Sequence, residues 1–144
     1  MKGNGGFLIG QVKQRQGRIF ERLLTDSGIQ EFNGAQGRIL YVLWQQDNIP
    51  IVELSRKTSL AKTTLTSMLD RMEQSNLIER VYDKSDRRQI RISLTPKARE
   101  LNHLYNKVSS QMAEIFYKDF STEEIEQFET YLTRILDNLI DYES

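Results

Sequence analysis

Cysteine is absent from the chain and histidine occurs once, and these two scarcities exclude several kinds of chemistry. Without cysteine, the 144 residues form no disulfide and offer no thiol nucleophile or thiol redox sensor. A single histidine, His103, cannot form a zinc site made of histidine ligands, and the sequence shows no pattern of a Ser-His-Asp triad around it. The glycines at residues 3–6 follow no strand, so they are not a phosphate-binding loop. We therefore expect neither an enzyme nor a cofactor.

Long hydrophobic runs are also lacking. The first apolar run is only Phe7-Leu8-Ile9, which is too short for a signal peptide or a membrane span. We therefore expect a cytoplasmic protein with no membrane partner. The length suits a single domain over residues 1–144, and apolar residues make up 38% of the chain, which suggests that an oligomer completes the burial of its core.

The net charge is zero, with 20 basic and 20 acidic residues, but the two signs are unevenly distributed. Residues 55–92 contain nine Lys or Arg against five Asp or Glu, whereas residues 121–144 contain one arginine against seven acidic residues. Distribution matters more than the sum when a polyanionic partner is considered. The pattern places a basic surface on the middle of the chain and an acidic surface on its last helix.

The chain is organised around residues 60–94, which begin with an amphipathic helix. Leu65, Met68, Leu69 and Met72 recur at helical spacing and predict one buried face. The opposite face carries hydrogen-bonding groups, which suit the base edges of a DNA major groove. The candidates for such contacts near the start of this helix are Lys62, Thr63, Thr64 and Ser67, with Arg71 one turn further on. Asn76, which tolerates the left-handed conformation, is predicted to close the helix.

A two-stranded hairpin follows this helix. Residues 78–82 and 90–94 alternate with period two and enclose a polar tip over residues 83–89. Because a hairpin alone is marginally stable, we expect it to pack on the helix. A short helix at residues 51–57 and a turn at residues 58–60 complete a helix-turn-helix. The predicted fold class is therefore mainly α with a small β-hairpin, a winged helix-turn-helix.

Four motifs in this region resemble the MarR family of bacterial winged helix-turn-helix transcription regulators. They are Asp70-Arg71-Met72-Glu73, Asn76-Leu77-Ile78-Glu79-Arg80, Asp86-Arg87-Arg88 and Leu94-Thr95. The resemblance extends over essentially the whole chain. It departs from the family at Asn76, where glycine is usual, and at Ala61, where a polar residue usually opens the recognition helix. This helix therefore lacks an obvious cap.

The resemblance implies a sequence-specific double-stranded DNA-binding regulator, most simply a ligand-responsive repressor that acts as a homodimer on a pseudo-palindromic operator. It implies that Arg88 enters the minor groove, that Asp86 orients the wing tip and that Arg87 meets phosphate. The alternative for both arginines is a solvated hairpin tip. Arg71 either contacts DNA or pairs locally with Asp70 or Glu73.

The resemblance further implies a small aromatic or anionic effector, held between the dimerisation helices and the winged unit. Aromatic residues that would suit such a pocket also suit a core, so the effector-binding residues remain open. The aromatic residues considered are Phe32, Tyr41, Trp44, Tyr105 and Phe116.

Two heptad-like seams predict self-association. They run along residues 101–115 and 125–142, and together they exceed what one small winged-helix core can cover. We therefore expect a homodimer with a DNA-binding lobe over residues 33–95 and dimerisation helices over residues 7–26 and 96–142. The alternative function is a winged-helix protein-interaction module with weak or no DNA binding, because the winged unit has only a modest excess of positive charge.

Overall fold

The computed structural model describes residues 3–86 and 88–144, and within them the chain is mainly α-helical. This confirms the predicted fold class. The elements in chain order are α1 (Gly5–Asp26), α2 (Gly34–Gln45), β1 (Ile49–Pro50), α3 (Ile51–Thr58), α4 (Lys62–Gln74), β2 (Ile78–Tyr82), β3 (Ile90–Leu94), α5 (Pro96–Glu100), α6 (Asn102–Phe116) and α7 (Thr122–Glu143).

Helices α2, α5 and α7 each begin where a side chain caps them. The Asn33 side chain accepts the backbone N–H of Gln36, and the Gln36 side chain accepts that of Asn33, which forms a capping box at the start of α2. Ser121 and Glu124 form the equivalent box at α7. The recognition helix α4 has Ala61 at its N-cap position and no side-chain cap, as the sequence predicts.

The strands form one antiparallel sheet in the order β1-β3-β2. Ile78 pairs with Leu94 and Tyr82 with Ile90, which is the predicted hairpin. Strand β1 adds to the sequence prediction, which gave only the two strands of the hairpin. Ile49 pairs with Ile92 and is buried. A two-residue strand has no visible period, so only its pairing and burial define it.

The hairpin packs against α4, as expected. Helix α4 buries Leu65, Leu69 and Met72, and Ile78 and Ile92 of the sheet are buried in the same core. Asn76 has φ +61°, the left-handed conformation predicted for it, and the Leu77 N–H then donates to the Met72 carbonyl. Through this turn the chain passes from the end of α4 at Gln74 to the start of β2 at Ile78.

Two helix boundaries differ from the sequence prediction. Helix α1 begins at Gly5, two residues before the predicted start at residue 7, and Met1 and Lys2 lie outside the described residues. Within the dimerisation helices predicted over residues 96–142, the first helix is interrupted at Leu101. The Leu101 N–H donates to the Ala98 carbonyl, so the backbone tightens there into a narrower turn that separates α5 from α6.

The two apolar seams have different surroundings. Along α6, Val108 and Met112 are buried, and this helix packs against α1. Helix α7 has no buried residue over its 22 residues, and its apolar residues from Ile135 to Tyr142 are exposed. The α6 seam is therefore mostly covered within the chain, while the C-terminal half of the α7 seam is open.

Candidate nucleic-acid interface

The outer face of α4 presents the predicted polar residues to solvent. Lys62, Thr63, Thr64, Ser67 and Arg71 are all exposed, while Leu65 on the other face is fully buried. Within the described part of the chain, the hydroxyls of the two threonines and of Ser67 make no hydrogen bond. A row of free donors and acceptors on an exposed helix is the arrangement that can read base edges.

Arg80 joins the wing to this helix. Its guanidinium donates to Asp70 Oδ1 at 2.6 Å and to Glu73 Oε1 at 2.8 Å, and its side chain is only 20% exposed. The Arg80 backbone N–H also donates to Glu73, at 3.3 Å. Arg80 belongs to one of the family motifs, but the sequence pattern indicated no role for it. Asp70 and Glu73 both bind Arg80, and in the described part of the chain neither forms an ion pair with Arg71, so DNA contact or local pairing for Arg71 stays a prediction.

The wing tip holds Arg88 beside Asp86. Asp86 Oδ1 accepts the backbone N–H of Arg88 at 3.1 Å and its Nε–H at 3.3 Å. The Arg88 side chain is otherwise 93% exposed, so its charge faces solvent beyond the end of the sheet. Arg87, predicted to meet phosphate, lies outside the described residues. The structure thus brings Asp86 and Arg88 together at an exposed tip.

The start of the wing tip is held by an ion pair that sequence reasoning missed. Arg91 Nε donates to Asp83 Oδ2 at 3.2 Å, while Asp83 Oδ1 accepts the hydroxyl of Ser85 at 2.6 Å and its backbone N–H at 2.9 Å. These bonds, first those from Ser85 and then that from Arg91, lower the pKa of Asp83 from 3.8 to about 2. The available signal was weak: opposite charges at the two ends of the predicted tip.

Arg91 also reaches the corner that precedes β1. Its second guanidinium nitrogen donates to the Asn48 carbonyl at 2.8 Å, and Asn48 has φ +57°. Asp47 Oδ1 accepts the backbone N–H of Leu94 at 2.9 Å. Asp47 Oδ2 accepts from Arg99 of α5 at 3.1 Å. The corner is therefore bonded to both β3 and α5.

Aromatic rings join the winged unit to α1 and α6. The ring of Tyr105 lies 5.3 Å from that of Trp44 and 5.8 to 6.1 Å from those of Phe20, Tyr41 and Phe32. Trp44 Nε1 donates to the Ala98 carbonyl at 2.9 Å. Burial raises the pKa of Tyr105 above its ordinary value. Phe116 instead belongs to a separate cluster, with Tyr117 and Phe128.

Two arrangements are absent from the described ranges, a possible metal-binding cluster and a membrane-crossing helix. No three His, Asp or Glu side chains there come together as a possible metal-binding group. No helix described combines the length and the apolar character needed to cross a membrane.

Helices α3 and α4 with the β2–β3 hairpin define a winged helix-turn-helix protein. The profile of the MarR family matches residues 32–90. The homoprotocatechuate degradative operon repressor of Escherichia coli is 30% identical over 108 residues, which cover 73% of this chain and 68% of that protein. A MarR mutant from E. coli complexed with operator DNA superposes with a TM-score of 0.80 and 25% identity, covering 91% of this chain and 92% of that one. The chain belongs to the MarR family.

The similarity to other relatives is shorter. The uncharacterized HTH-type transcriptional regulator YsmB of Bacillus subtilis is 37% identical over 94 residues, or 65% of this chain. The chain covers 64% of the length of that regulator, just under two thirds.

Proposed function

We propose that this chain is a homodimeric, sequence-specific double-stranded DNA-binding transcription regulator that acts as a repressor. The observation that carries the proposal is the exposed polar face of α4, fixed to the wing by the bonds of Arg80 with Asp70 and Glu73. One rigid unit thereby presents a helix sized for the major groove beside a cationic tip. The names of the E. coli relatives, an operon repressor and a MarR mutant bound to operator DNA, support this proposal.

The proposed contacts divide between base edges and backbone. Thr63, Thr64 and Ser67, with Lys62 and Arg71, would face the major groove, where hydroxyl, amine and guanidinium groups meet base donors and acceptors. Arg88, oriented by Asp86, would enter the minor groove, which attracts arginine electrostatically where it is narrow. Arg87 would neutralise phosphate. This last role follows from the family resemblance alone.

Two recognition helices are needed to read a pseudo-palindrome. A dimer that covers the open apolar face of α7 would supply them, and half-sites roughly 34–36 Å apart would follow from the helical repeat of DNA. The acidic residues of α7, seven between positions 121 and 144, suit a surface that faces away from the phosphates.

The test compares hydroxyl and arginine variants on two duplexes, one selected from a random pool and one of mixed sequence. Ser67→Ala is expected to cost about 1–3 kcal/mol on the selected duplex alone. Arg88→Ala should weaken binding to both duplexes and reduce the salt slope by about one unit. Arg134→Ala, which removes one charge from α7, is the matched control and should change neither binding constant.

Two results would contradict the proposal. A wild-type protein that binds neither duplex at low salt would favour the protein-interaction module. Equal losses on both duplexes for Ser67→Ala would remove α4 from the specific contacts.

We further propose that a small aromatic or anionic effector acts at the ring cluster around Tyr105. This cluster connects α1 and α6 with the winged unit, so a ligand that displaced a ring would alter their relative position. Trp44 is the only tryptophan, and its fluorescence reports on the cluster directly. Salicylate, used as a probe, should change this fluorescence and weaken DNA binding over the same concentrations, whereas a fluorescence change without any effect on DNA would contradict the effector role.

A further inference from the structure

On the face of the wing opposite α4, Arg91 bridges Asp83 and the Asn48 carbonyl. This bridge has no part in the DNA contacts proposed so far. Arg91 pairs with Val81 across the hairpin, while Arg80 pairs with Ile92. Because successive side chains of a strand point to opposite faces, Arg91 faces away from the side on which Arg80 binds α4. We propose that Arg91 is a positioning residue for DNA binding. It bridges the wing tip to the Asn48 corner and so sets the angle at which the tip meets DNA. This inference rests on the proposed function.

The outer end of the bridge organises the tip. Asp83 is the first residue after β2, and its side chain is only 14% exposed. Its carboxylate binds Ser85 through one oxygen and Arg91 through the other. Its backbone N–H donates to the Gln89 carbonyl at 3.1 Å, and the Gln89 N–H donates to the Asp86 carbonyl at 3.0 Å. The tip is therefore a closed loop that is anchored at Asp83.

The inner end of the bridge is attached to the body of the protein. Asn48 is held in a left-handed conformation at a corner where Asp47 binds β3 and α5. Strand β1 contributes only two paired residues beyond this corner. The bond from Arg91 to the Asn48 carbonyl therefore adds a side-chain connection, next to those two pairs, between the outer half of the hairpin and the body.

Charge separates this positioning role from direct phosphate contact. Arg91 is 34% exposed, so a guanidinium–phosphate contact is the competing explanation. Its charge is balanced by Asp83. Asp83→Asn would make the wing more positive by one unit, and electrostatics alone would then tighten binding to DNA. If the bridge positions the tip, the same substitution weakens binding because the loop loses its anchor. The two explanations thus predict opposite signs.

The experiment measures binding of the full chain to a selected duplex of about 30 base pairs, which spans three helical turns. The variants are Asp83→Asn, Arg91→Met and the double variant. The matched control is Glu79→Gln, which removes the same charge from an exposed position of β2 that makes no ion pair in the described part of the chain. We expect Asp83→Asn and Arg91→Met each to weaken binding by roughly tenfold, the double variant to be no weaker than either, and Glu79→Gln to bind at least as well as the wild type.

Limited trypsin digestion gives a readout that does not depend on DNA. Lys84 and Arg88 of the tip are exposed cleavage sites, and a released tip should be cut faster in Asp83→Asn than in Glu79→Gln, while both variants melt cooperatively. Equal cleavage rates in the two variants would overturn the bridge, whether or not the wild type binds DNA. Failure of the wild type to bind DNA would contradict only the proposed function. Tighter binding by Asp83→Asn, or a salt slope reduced by about one unit in Arg91→Met with no loss in Asp83→Asn, would assign Arg91 to phosphate and overturn the positioning role.

Discussion

Gly37 allows α2 to approach Tyr105 closely, because the Tyr105 ring occupies the space that a side chain at position 37 would need. A Cβ at Gly37 would lie 2.8 Å from Tyr105 Cε2, whereas one at Gly17 of α1 would have no neighbour within 4 Å. Gly37→Ala should destabilise the protein by about 1–3 kcal/mol because Tyr105 is held by surrounding rings. Gly17→Ala, the control, should stabilise it by about 0.5–1 kcal/mol through helix propensity. Urea unfolding measures both, and a stabilising Gly37→Ala would mean that Tyr105 moves freely.

Asp83 makes part of the stability dependent on pH. Its pKa is about 2 in the folded chain against an ordinary value of 3.8, so folding favours its ionised form. That contribution is present above about pH 4 and is lost as the pH falls through about 2. The difference in melting temperature between the wild type and Asp83→Asn should therefore shrink between these values. Thermal unfolding followed by circular dichroism tests this, and a difference that stays constant with pH would show that Asp83 is not the titrating group.

At the scale of elements, docking of the wing on α4 depends on Arg80. Arg80→Met keeps the aliphatic stem but removes both ion pairs, so the free energy of unfolding should fall by about 1 kcal/mol and DNA binding should weaken. Arg99→Met removes only the more exposed pair with Asp47 and should cost less. Urea unfolding together with duplex binding provides the measurement. An Arg80→Met variant that binds DNA normally would show that β2 holds its place on α4 without the guanidinium.

The elements that sequence predicted well are those with a period. Leu65, Leu69 and Met72 repeat at helical spacing, so the amino-acid sequence alone was enough to predict α4 and its exposed face. Strand β1 was not predictable in this way, because it exists only through the pairing of Ile49 and Pro50 with β3. The interruption at Leu101 was likewise not predictable, because no glycine or proline lies there to break the helix.

The contacts of the candidate site divide along the same line. Exposure of the threonines on α4 follows from helical spacing, which a sequence displays directly. The partners of Arg80 and Arg91 cannot be predicted from such spacing. They depend on which face each strand turns toward α4 and on where the Asn48 corner lies. Contacts between elements distant in sequence are set by packing, which no local pattern records.

For the whole molecule, the open face of α7 predicts a dimer. Leu139 lies on that face, and Thr130, nine residues earlier, lies on the opposite side of the helix. Leu139→Asp should weaken association strongly because it would place an unpaired charge in an apolar interface. Thr130→Asp should leave association intact. Light scattering at micromolar concentration distinguishes them, and a wild-type mass equal to the 16.9 kDa of one chain would reject the dimer.

The bare surface of α7 also bears on how steeply a target gene would respond to the amount of this protein. A helix with no buried residue within its own chain gains its packing from a partner, so the fraction of paired molecules rises with concentration by mass action. Occupancy of two half-sites by a dimer would then vary with roughly the square of the free chain concentration below the dissociation constant of the dimer. In the proposed repressor, a twofold drop in free chain concentration within that range would lower occupancy about fourfold, so the target gene would respond more steeply than to a monomer even without an effector.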